Sequence, residues 1–122
     1  MSALQQHWNE DQPIYRQLRD RLMEMILDRV IEEGDAMPSI RQISVELKIN
    51  PITVTRAVQE LEECGALEKR RGLGNFVKPG ARAQLLEQER KKFLKDDWPA
   101  LRTKIERLQI PLDTLLTPPL IR

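Results

Sequence analysis

The sequence predicts a mainly α-helical protein. A winged helix-turn-helix domain (three helices plus a small β-hairpin wing) is followed by a short C-terminal helical dimerisation unit. Three observations lead to this fold class: two short helices joined by a tight turn, a glycine-containing hairpin pattern after them, and a second helical stretch with apolar faces. We therefore divide the 122 residues into a flexible N-terminal arm (1–10), the winged helix-turn-helix domain (11–79) and a helical dimerisation tail (80–122).

The length and composition suit one compact domain with an appendage. A single cysteine, Cys64, excludes an intramolecular disulfide and fits a reducing compartment. We expect Cys64 to be a small buried residue, with a redox sensor as the alternative. The sequence has no signal-peptide pattern and no apolar run near the roughly 18 residues of a membrane span, so we expect a cytoplasmic protein without a membrane partner.

The first helix begins near Pro13, a residue that suits a first helical turn. Apolar residues then recur at helical spacing, and we expect the helix to end at Gly34 and Asp35. Trp8 precedes it in the arm, and we expect its ring to pack on its own domain or on a dimer partner.

The second and third helices carry clear start signals. Ser39 with Gln42 three residues later forms a capping-box pattern. Asn50 is a good N-cap for the next helix, and Pro51 suits its first turn. Only about three residues, "KIN", separate the two helices, which is the helix-turn-helix pattern.

A hairpin is predicted after Gly65, with strands at 66–69 and 75–78 and the turn "RRGLG" between them. The formal net charge of the chain is only +1, but the region 66–82 holds a single acidic residue, Glu68, against five basic residues. These are Lys69, Arg70, Arg71, Lys78 and Arg82. Such a local cluster is typical of nucleic-acid contacts, although a solvated hairpin tip explains it equally well on its own.

The segment "KPG" at 78–80 is the best domain boundary, and the tail beyond it reads as helical. Asp97 is a candidate cap for its second helix, and Pro99 fits that helix's first turn. The apolar faces of the tail cannot form a core of their own size, so we expect a second copy of the chain to cover them; packing back onto the first domain is the alternative. The predicted dimerisation residues are Leu85, Leu86, Phe93, Leu94, Trp98, Leu101, Ile105 and Leu108.

Catalytic and metal-binding patterns are missing from the sequence. His7 is the only histidine and lies far from Cys64 in the chain, so neither a zinc site nor a Cys-His nucleophile pair is indicated. "GLG" at 72–74 lacks the Lys-Ser or Lys-Thr pair of a phosphate loop, and no Gly-x-Ser-x-Gly elbow occurs. We predict a protein that is not an enzyme and uses no cofactor or metal.

The third helix has the composition of a recognition helix. The second helix of a helix-turn-helix places its N-terminal residues at base edges in the major groove. Thr53 and Thr55 can bond bases or phosphates, and Arg56 on the outward face can reach guanine or phosphate. Ile52, on the same face, can offer only apolar contact, for instance to a thymine methyl group.

Two further clusters support DNA contact. Ser39 and Arg41 lie at the start of the preceding helix, where backbone N–H groups and basic side chains suit phosphate oxygens. Arg70, Arg71 and Gly72 form the tip of the wing and can touch the neighbouring backbone or the minor groove. Each residue alone is explained by an ordinary solvated surface, but three clusters on one motif favour double-stranded DNA as the partner.

Four stretches, in this order and spacing, resemble the DNA-binding domain of GntR-family bacterial transcription regulators over residues 11–79. They are "QPIYRQLRDRL", "EGDAMPSIRQIS", "INPITVTRAVQELEECG" and "RGLGNFV". "NP" followed by "TV" and "RA", together with the short tail, is similar to the YtrA-like subfamily. The resemblance implies a homodimer that binds a near-palindromic operator, usually as a repressor, and that often controls a transporter operon and its own gene.

By position, the resemblance assigns phosphate contacts to Ser39 and Arg41, recognition to the residues from Pro51 to Arg56, and a minor-groove approach to Gly72. The sequence departs from the family at two recognition positions: Ile52 stands where the subfamily usually has asparagine, and Pro51 where many members have arginine.

Two alternatives stay open at this point. A winged helix can also serve as a protein–protein adaptor or co-regulator without specific DNA binding. A ligand-responsive switch with a small-molecule effector between the C-terminal helices is also possible, although no cluster of His, Arg or acidic residues indicates one.

Overall fold

The computed structural model describes residues 8–117. The chain forms six α-helices and one two-stranded sheet in this range, and it separates into two compact units, residues 1–86 and 87–122. The elements are α1 (Ile14–Leu27), α2 (Ile40–Leu47), α3 (Pro51–Glu63), β1 (Leu67–Arg70), β2 (Gly74–Val77), α4 (Ala81–Lys92), a π-helical segment (Phe93–Asp97), α5 (Trp98–Arg107) and α6 (Leu112–Leu116). The predicted mainly helical, winged helix-turn-helix fold class is confirmed.

The core of the first unit is built from the apolar faces that the helical spacing predicted. Helices α1 and α3 pack against each other, and α2 packs on α3. The largest side chains that are completely buried are Leu18, Leu22, Ile26, Ile43, Val54, Val58, Leu61, Val77 and Leu85. These residues come from four helices and one strand, so the wing and the start of α4 share the core of the helix-turn-helix.

Helix α1 ends at Leu27, earlier than the expected Gly34. Arg29 adopts a left-handed conformation with φ of 63°, and the N–H groups of Val30 and Ile31 both donate to the Met25 carbonyl. This turn buries Ile31 and leaves the side chain of Val30 56% exposed. The helical spacing of apolar residues continues to Val30, three residues past the last residue of α1, and this is why the sequence predicted a longer helix.

The start signals of α2 and α3 are confirmed. Ser39 Oγ accepts from the Gln42 backbone N–H at 3.0 Å, and the Ser39 N–H donates to Gln42 Oε1 at 2.8 Å, which completes the capping box. Asn50 Oδ1 accepts from the Ile52 N–H at 2.8 Å, with Pro51 as the first helical residue. Lys48 ends α2 in a left-handed conformation, so a short turn connects the two helices.

The wing is an antiparallel hairpin in which Leu67 pairs with Val77 and Arg70 with Gly74. Both strands lie one residue closer to the turn than expected. Gly72 and Gly74 have φ of 77° and 105°, as the predicted tight turn requires. The segment 34–37 runs along β2 through three backbone hydrogen bonds, so the hairpin is supported on one edge.

The first unit continues past the expected boundary at residue 79 as far as Leu86. Ala81 and Leu85 are buried in the core that the helix-turn-helix and the wing share. Because the side chain of Leu85 is only 1% exposed, no surface of it is left for a second copy, and we remove Leu85 from the predicted dimerisation set.

A carboxylate from a distant turn stabilises the start of α4. Glu33 Oε1 accepts from the Gly80 N–H at 2.9 Å, and Glu33 Oε2 accepts from the Arg82 N–H at 3.2 Å. Arg82 Nε in turn donates to the Leu27 carbonyl at 3.0 Å. Arg82 therefore holds α4 in place and is not part of the wing, although the sequence grouped it with the basic cluster. We call these three contacts the α4 clamp.

The second unit contains the rest of α4, the π-helical segment, α5 and α6. We expected Asp97 to cap a separate helix, and this was wrong: Asp97 has helical φ and ψ and makes no capping hydrogen bond. The backbone continues from α4 into α5 through the π-helical segment, so α5 has no free first turn to cap. The rings of Phe93, the first residue of the π-helical segment, and of Trp98, the residue after it, lie 6.5 Å apart.

The part of the arm that the structure describes is attached to the first unit. Trp8 is partly buried against the core, as expected for packing on its own domain. Gln17, itself 6% exposed, accepts from the Asn9 N–H and donates to the Asn9 and Gln12 carbonyls. Residues 1–7 of the predicted arm lie outside the described residues. Within 8–117, no helix is both long and apolar enough to pass through a bilayer.

Candidate DNA-binding surface

The N-terminal half of α3 presents side chains with very different exposure. Ile52 is 77% exposed, while Thr53 is half-buried. Thr55 Oγ donates its proton to the Pro51 carbonyl at 2.8 Å. While this bond holds, Thr55 can accept a hydrogen bond but cannot donate to a phosphate oxygen, which is itself an acceptor.

Arg56 lies over an aromatic ring of α1. Its guanidinium carbon is 3.8 Å from the centroid of the Tyr15 ring, a cation–π contact, and Tyr15 is 9% exposed at the edge of the core. Within residues 8–117, no carboxylate forms an ion pair with Arg56. Its charge is therefore held in place and not neutralised.

A second contact joins the same two helices one turn further along. Arg19 donates to Glu60 Oε1 at 2.7 Å and to Asp20 Oδ1 at 3.0 Å. Partial burial acts to lower the pKa of Arg19, but the hydrogen bonds to Glu60 and Asp20 outweigh it, and the net effect raises that pKa. Tyr15–Arg56 and Arg19–Glu60 thus form two parallel connections between α1 and α3.

The start of α2 offers the predicted phosphate-side groups. The Ser39 hydroxyl oxygen already accepts from Gln42, so its proton remains available to donate. Arg41 is exposed, and the described part of the chain gives it no ion-pair partner. Ser39, Thr55 and Gly74 line one groove of about 390 Å³, so the start of α2, the middle of α3 and the wing meet there.

The two wing arginines differ in their contacts. Arg70 Nε donates to Glu68 Oε2 at 3.2 Å, and the Arg70 guanidinium lies 4.1 Å from the centroid of the Phe76 ring. Arg71 is exposed, and among the described residues it has no carboxylate partner. Gly72 is exposed at the tip, beside Leu73, whose side chain is 71% exposed.

Sequence reasoning missed Tyr15. Tyr15 and Arg19 are four residues apart on α1, and Arg56 and Glu60 have the same spacing on α3. The two spacings match only because α1 and α3 pack together, so the sequence alone does not reveal the contacts.

Similarity to known proteins decides the family. The sequence model of one protein family, described as bacterial regulatory proteins of the gntR family, matches residues 14–77, which is more than half of the chain. The chain belongs to the GntR family. It is a DNA-binding transcription regulator, and the matched range covers α1 to β2, the elements that carry the candidate surface.

Similar proteins and solved structures agree with the assignment of this chain to the GntR family. The chain is 36% identical over 75 residues to the HTH-type transcriptional repressor YtrA of Bacillus subtilis, and the match covers 62% of this chain and 58% of that protein. A GntR family regulator from Listeria monocytogenes superposes with a TM-score of 0.71 at 26% identity, covering 89% of this chain and 94% of that one. YtrA from Sulfolobus acidocaldarius gives a TM-score of 0.59 at 27% identity, with 76% and 98% covered. The resemblance to YtrA-like regulators is confirmed.

Proposed function

We propose that this GntR regulator is a cytoplasmic homodimeric repressor that binds a near-palindromic operator and blocks access to a promoter. Its similarity to a protein named as a transcriptional repressor supports repression over activation. In line with the family resemblance, the regulated genes include a transporter operon and the regulator's own gene. The protein acts by binding and not as an enzyme.

The observation that carries the proposal is Arg56, which lies on the N-terminal half of α3 and forms no ion pair with a carboxylate among the described residues. A helix-turn-helix inserts this half of its recognition helix into the major groove. Ile52, Thr53 and Arg56 then face base edges, with Arg56 as the residue able to make a bidentate contact to guanine. Pro51 sets the start of the helix and contacts the groove wall.

The remaining predicted residues, apart from Thr55, position the backbone of the DNA. Ser39 donates to a phosphate oxygen, and Arg41 supplies the charge beside it. Arg71 and Gly72 bring the wing to the neighbouring groove, where Arg71 contributes more charge than the paired Arg70. Thr55 accepts from a base amino group, because its own proton is already donated within the helix.

Dimerisation takes place through the apolar surface of the second unit. A groove of about 440 Å³ in this unit is lined almost entirely by apolar side chains. They include Trp98, Leu101, Ile105, Leu108, Ile110, Leu112, Leu115 and Leu116. Phe93 and Leu94 are 43% and 57% exposed, and Leu86 belongs to the first unit by its contacts. A second copy of the chain covers such a surface by C₂ symmetry.

Genome-wide recovery of bound DNA tests the proposal, followed by gel shifts on the recovered fragments and on a scrambled sequence of equal length. We expect retardation of the recovered fragments only, a palindromic consensus, and reduced transcription from the promoter in a purified system. Failure to retard any fragment at low salt would favour the adaptor function instead. An effector is not needed for these outcomes, and candidates can be added to the same assay.

A further inference from the structure

The aromatic side chain under Arg56 has a use beyond packing. Tyr15 is almost entirely buried, but one face of its ring meets the guanidinium of Arg56 at 3.8 Å. Its hydroxyl accepts from Arg16 Nε at 3.3 Å, and the Arg16 guanidinium lies 5.9 Å from the same ring centroid. The ring therefore adjoins two cations, neither of which forms an ion pair within the described range.

We propose that Tyr15 is a positioning residue for DNA recognition: it holds the guanidinium of Arg56 in one place before DNA arrives, and so contributes to base preference without touching a base. The inference rests on the proposed role of Arg56 at base edges.

The chemistry of the contact supports positioning over sequestration. The π-face of a ring attracts a guanidinium but accepts no conventional hydrogen bond from it, so the donor fork of Arg56 stays available. An ion pair with a carboxylate would have consumed those donors and cancelled the charge. Arg19 illustrates that alternative one turn away, where Glu60 and Asp20 take up its guanidinium.

The gain from positioning is entropic. A free arginine side chain loses rotamer freedom when it docks on a base pair, and this loss weakens binding. A guanidinium already held against Tyr15 has lost part of that freedom during folding. Because a bidentate contact to guanine also requires a defined orientation, a fixed guanidinium discriminates better between base pairs than a mobile one.

The test uses the full chain and a duplex DNA library with randomised positions, from which base preference at each position is read as a ratio. We compare Arg56→Ala, Tyr15→Leu, Tyr15→Phe and the double variant Tyr15→Leu/Arg56→Ala. Glu60→Gln is the matched control, since it weakens the neighbouring contact between α1 and α3 and leaves the ring in place.

We expect Arg56→Ala to reduce preference at one base pair of each half-site by about 5- to 150-fold. Tyr15→Leu should reduce preference at that same base pair, the double variant should match Arg56→Ala, and Tyr15→Phe and Glu60→Gln should keep the preference. A ratio is insensitive to the fraction of folded protein, so loss of stability alone does not produce this pattern.

Two results would overturn the inference in distinguishable ways. If Arg56→Ala relaxes the preference but Tyr15→Leu weakens all sequences equally, Tyr15 is only structural and the role of Arg56 stands. If Arg56→Ala changes no preference, the role of Arg56 and the positioning by Tyr15 both fail.

A measurement on the unaltered protein covers the case in which Tyr15→Leu does not fold. In the free protein, the Arg56 Nε–H resonance should show an upfield ring-current shift and restricted motion, with the exposed Arg41 as the internal mobile reference. Arg56 motion as free as that of Arg41 would contradict pre-positioning.

Discussion

The side chains of Arg70 and Arg71 are adjacent in the sequence, yet only one of them offers a free charge. Glu68 and the Phe76 ring hold Arg70, whereas Arg71 is exposed and has no described carboxylate partner. Composition counts both as equal members of a basic cluster. Their difference follows from the hairpin, which places Glu68 two residues before Arg70 on the same face of β1.

This difference predicts unequal salt dependence for two matched variants. Arg71→Ala should reduce the slope of log K against log salt by about one, because one phosphate contact is lost. Arg70→Ala should reduce it by clearly less, since Glu68 already neutralises part of the charge. Titrations of the recovered operator at several salt concentrations measure both slopes, and equal losses would show that the Arg70–Glu68 pair opens on DNA.

Ile52 yields a second prediction at this scale. Its side chain is 77% exposed at the start of the recognition helix and offers only apolar contact. Ile52→Asn adds a donor and an acceptor suited to adenine and should shift base preference at one position by about 1–3 kcal/mol. Val30→Asn, also at an exposed apolar residue, is the control. An unchanged preference profile in Ile52→Asn would mean that Ile52 does not face a base.

At the scale of elements, local signals predicted the starts of α2 and α3 better than the end of α1 and the path of the tail. Ser39 with Gln42, and Asn50 with Pro51, act within one turn, so the sequence contains the whole interaction. The end of α1 depends on the left-handed Arg29, and the start of α4 on Glu33, 47 residues earlier than Gly80. Likewise, Tyr15 meets Arg56 only through tertiary packing, which spacing within one helix does not reveal.

The α4 clamp predicts a pH effect. Hydrogen bonds from the Gly80 and Arg82 N–H groups lower the pKa of Glu33 below its ordinary value of 4.5. The stabilisation from Glu33 is therefore complete above pH 4.5 and is lost as the pH falls through the lowered value. At pH 7, Glu33→Gln should melt at a lower temperature than the unaltered protein, because the charged acceptor at the helix start is gone.

Thermal unfolding at a series of pH values measures this effect. The difference in melting temperature should shrink as the pH falls from 4.5 through the lowered pKa of Glu33, where its carboxylate becomes neutral in the folded protein. Glu32→Gln, next to it in the same turn, should show no comparable pH-dependent difference. A constant gap at all pH values would assign the effect of Glu33→Gln to packing and not to charge.

For the whole molecule, the division into two units separates DNA reading from the apolar surface proposed for self-association. Leu108 is 58% exposed on the second unit and lines its apolar groove. Leu108→Glu would place a carboxylate in the apolar dimer interface, where removing the charge from water costs several kcal/mol. We expect self-association to weaken at least about tenfold, and binding to a palindromic site to weaken with it.

Sedimentation equilibrium measures the dissociation constant directly. Val30→Glu introduces the same charge at an exposed apolar residue of the first unit and should leave the dimer unchanged. If Leu108→Glu stays as dimeric as the control, a different surface makes the dimer.

The burial of Ala81 and Leu85 also decides where this chain can be recombined with another. A chimera joined at residue 79 would remove Leu85 from the core, and vacating a leucine site of this kind costs about 2–5 kcal/mol. It would also replace Arg82, whose guanidinium donates to the Leu27 carbonyl. A junction after Leu86 keeps the first unit intact, so that this unit can be joined to another tail. That junction lies inside α4 (Ala81–Lys92), so a grafted tail must begin with residues that continue a helix.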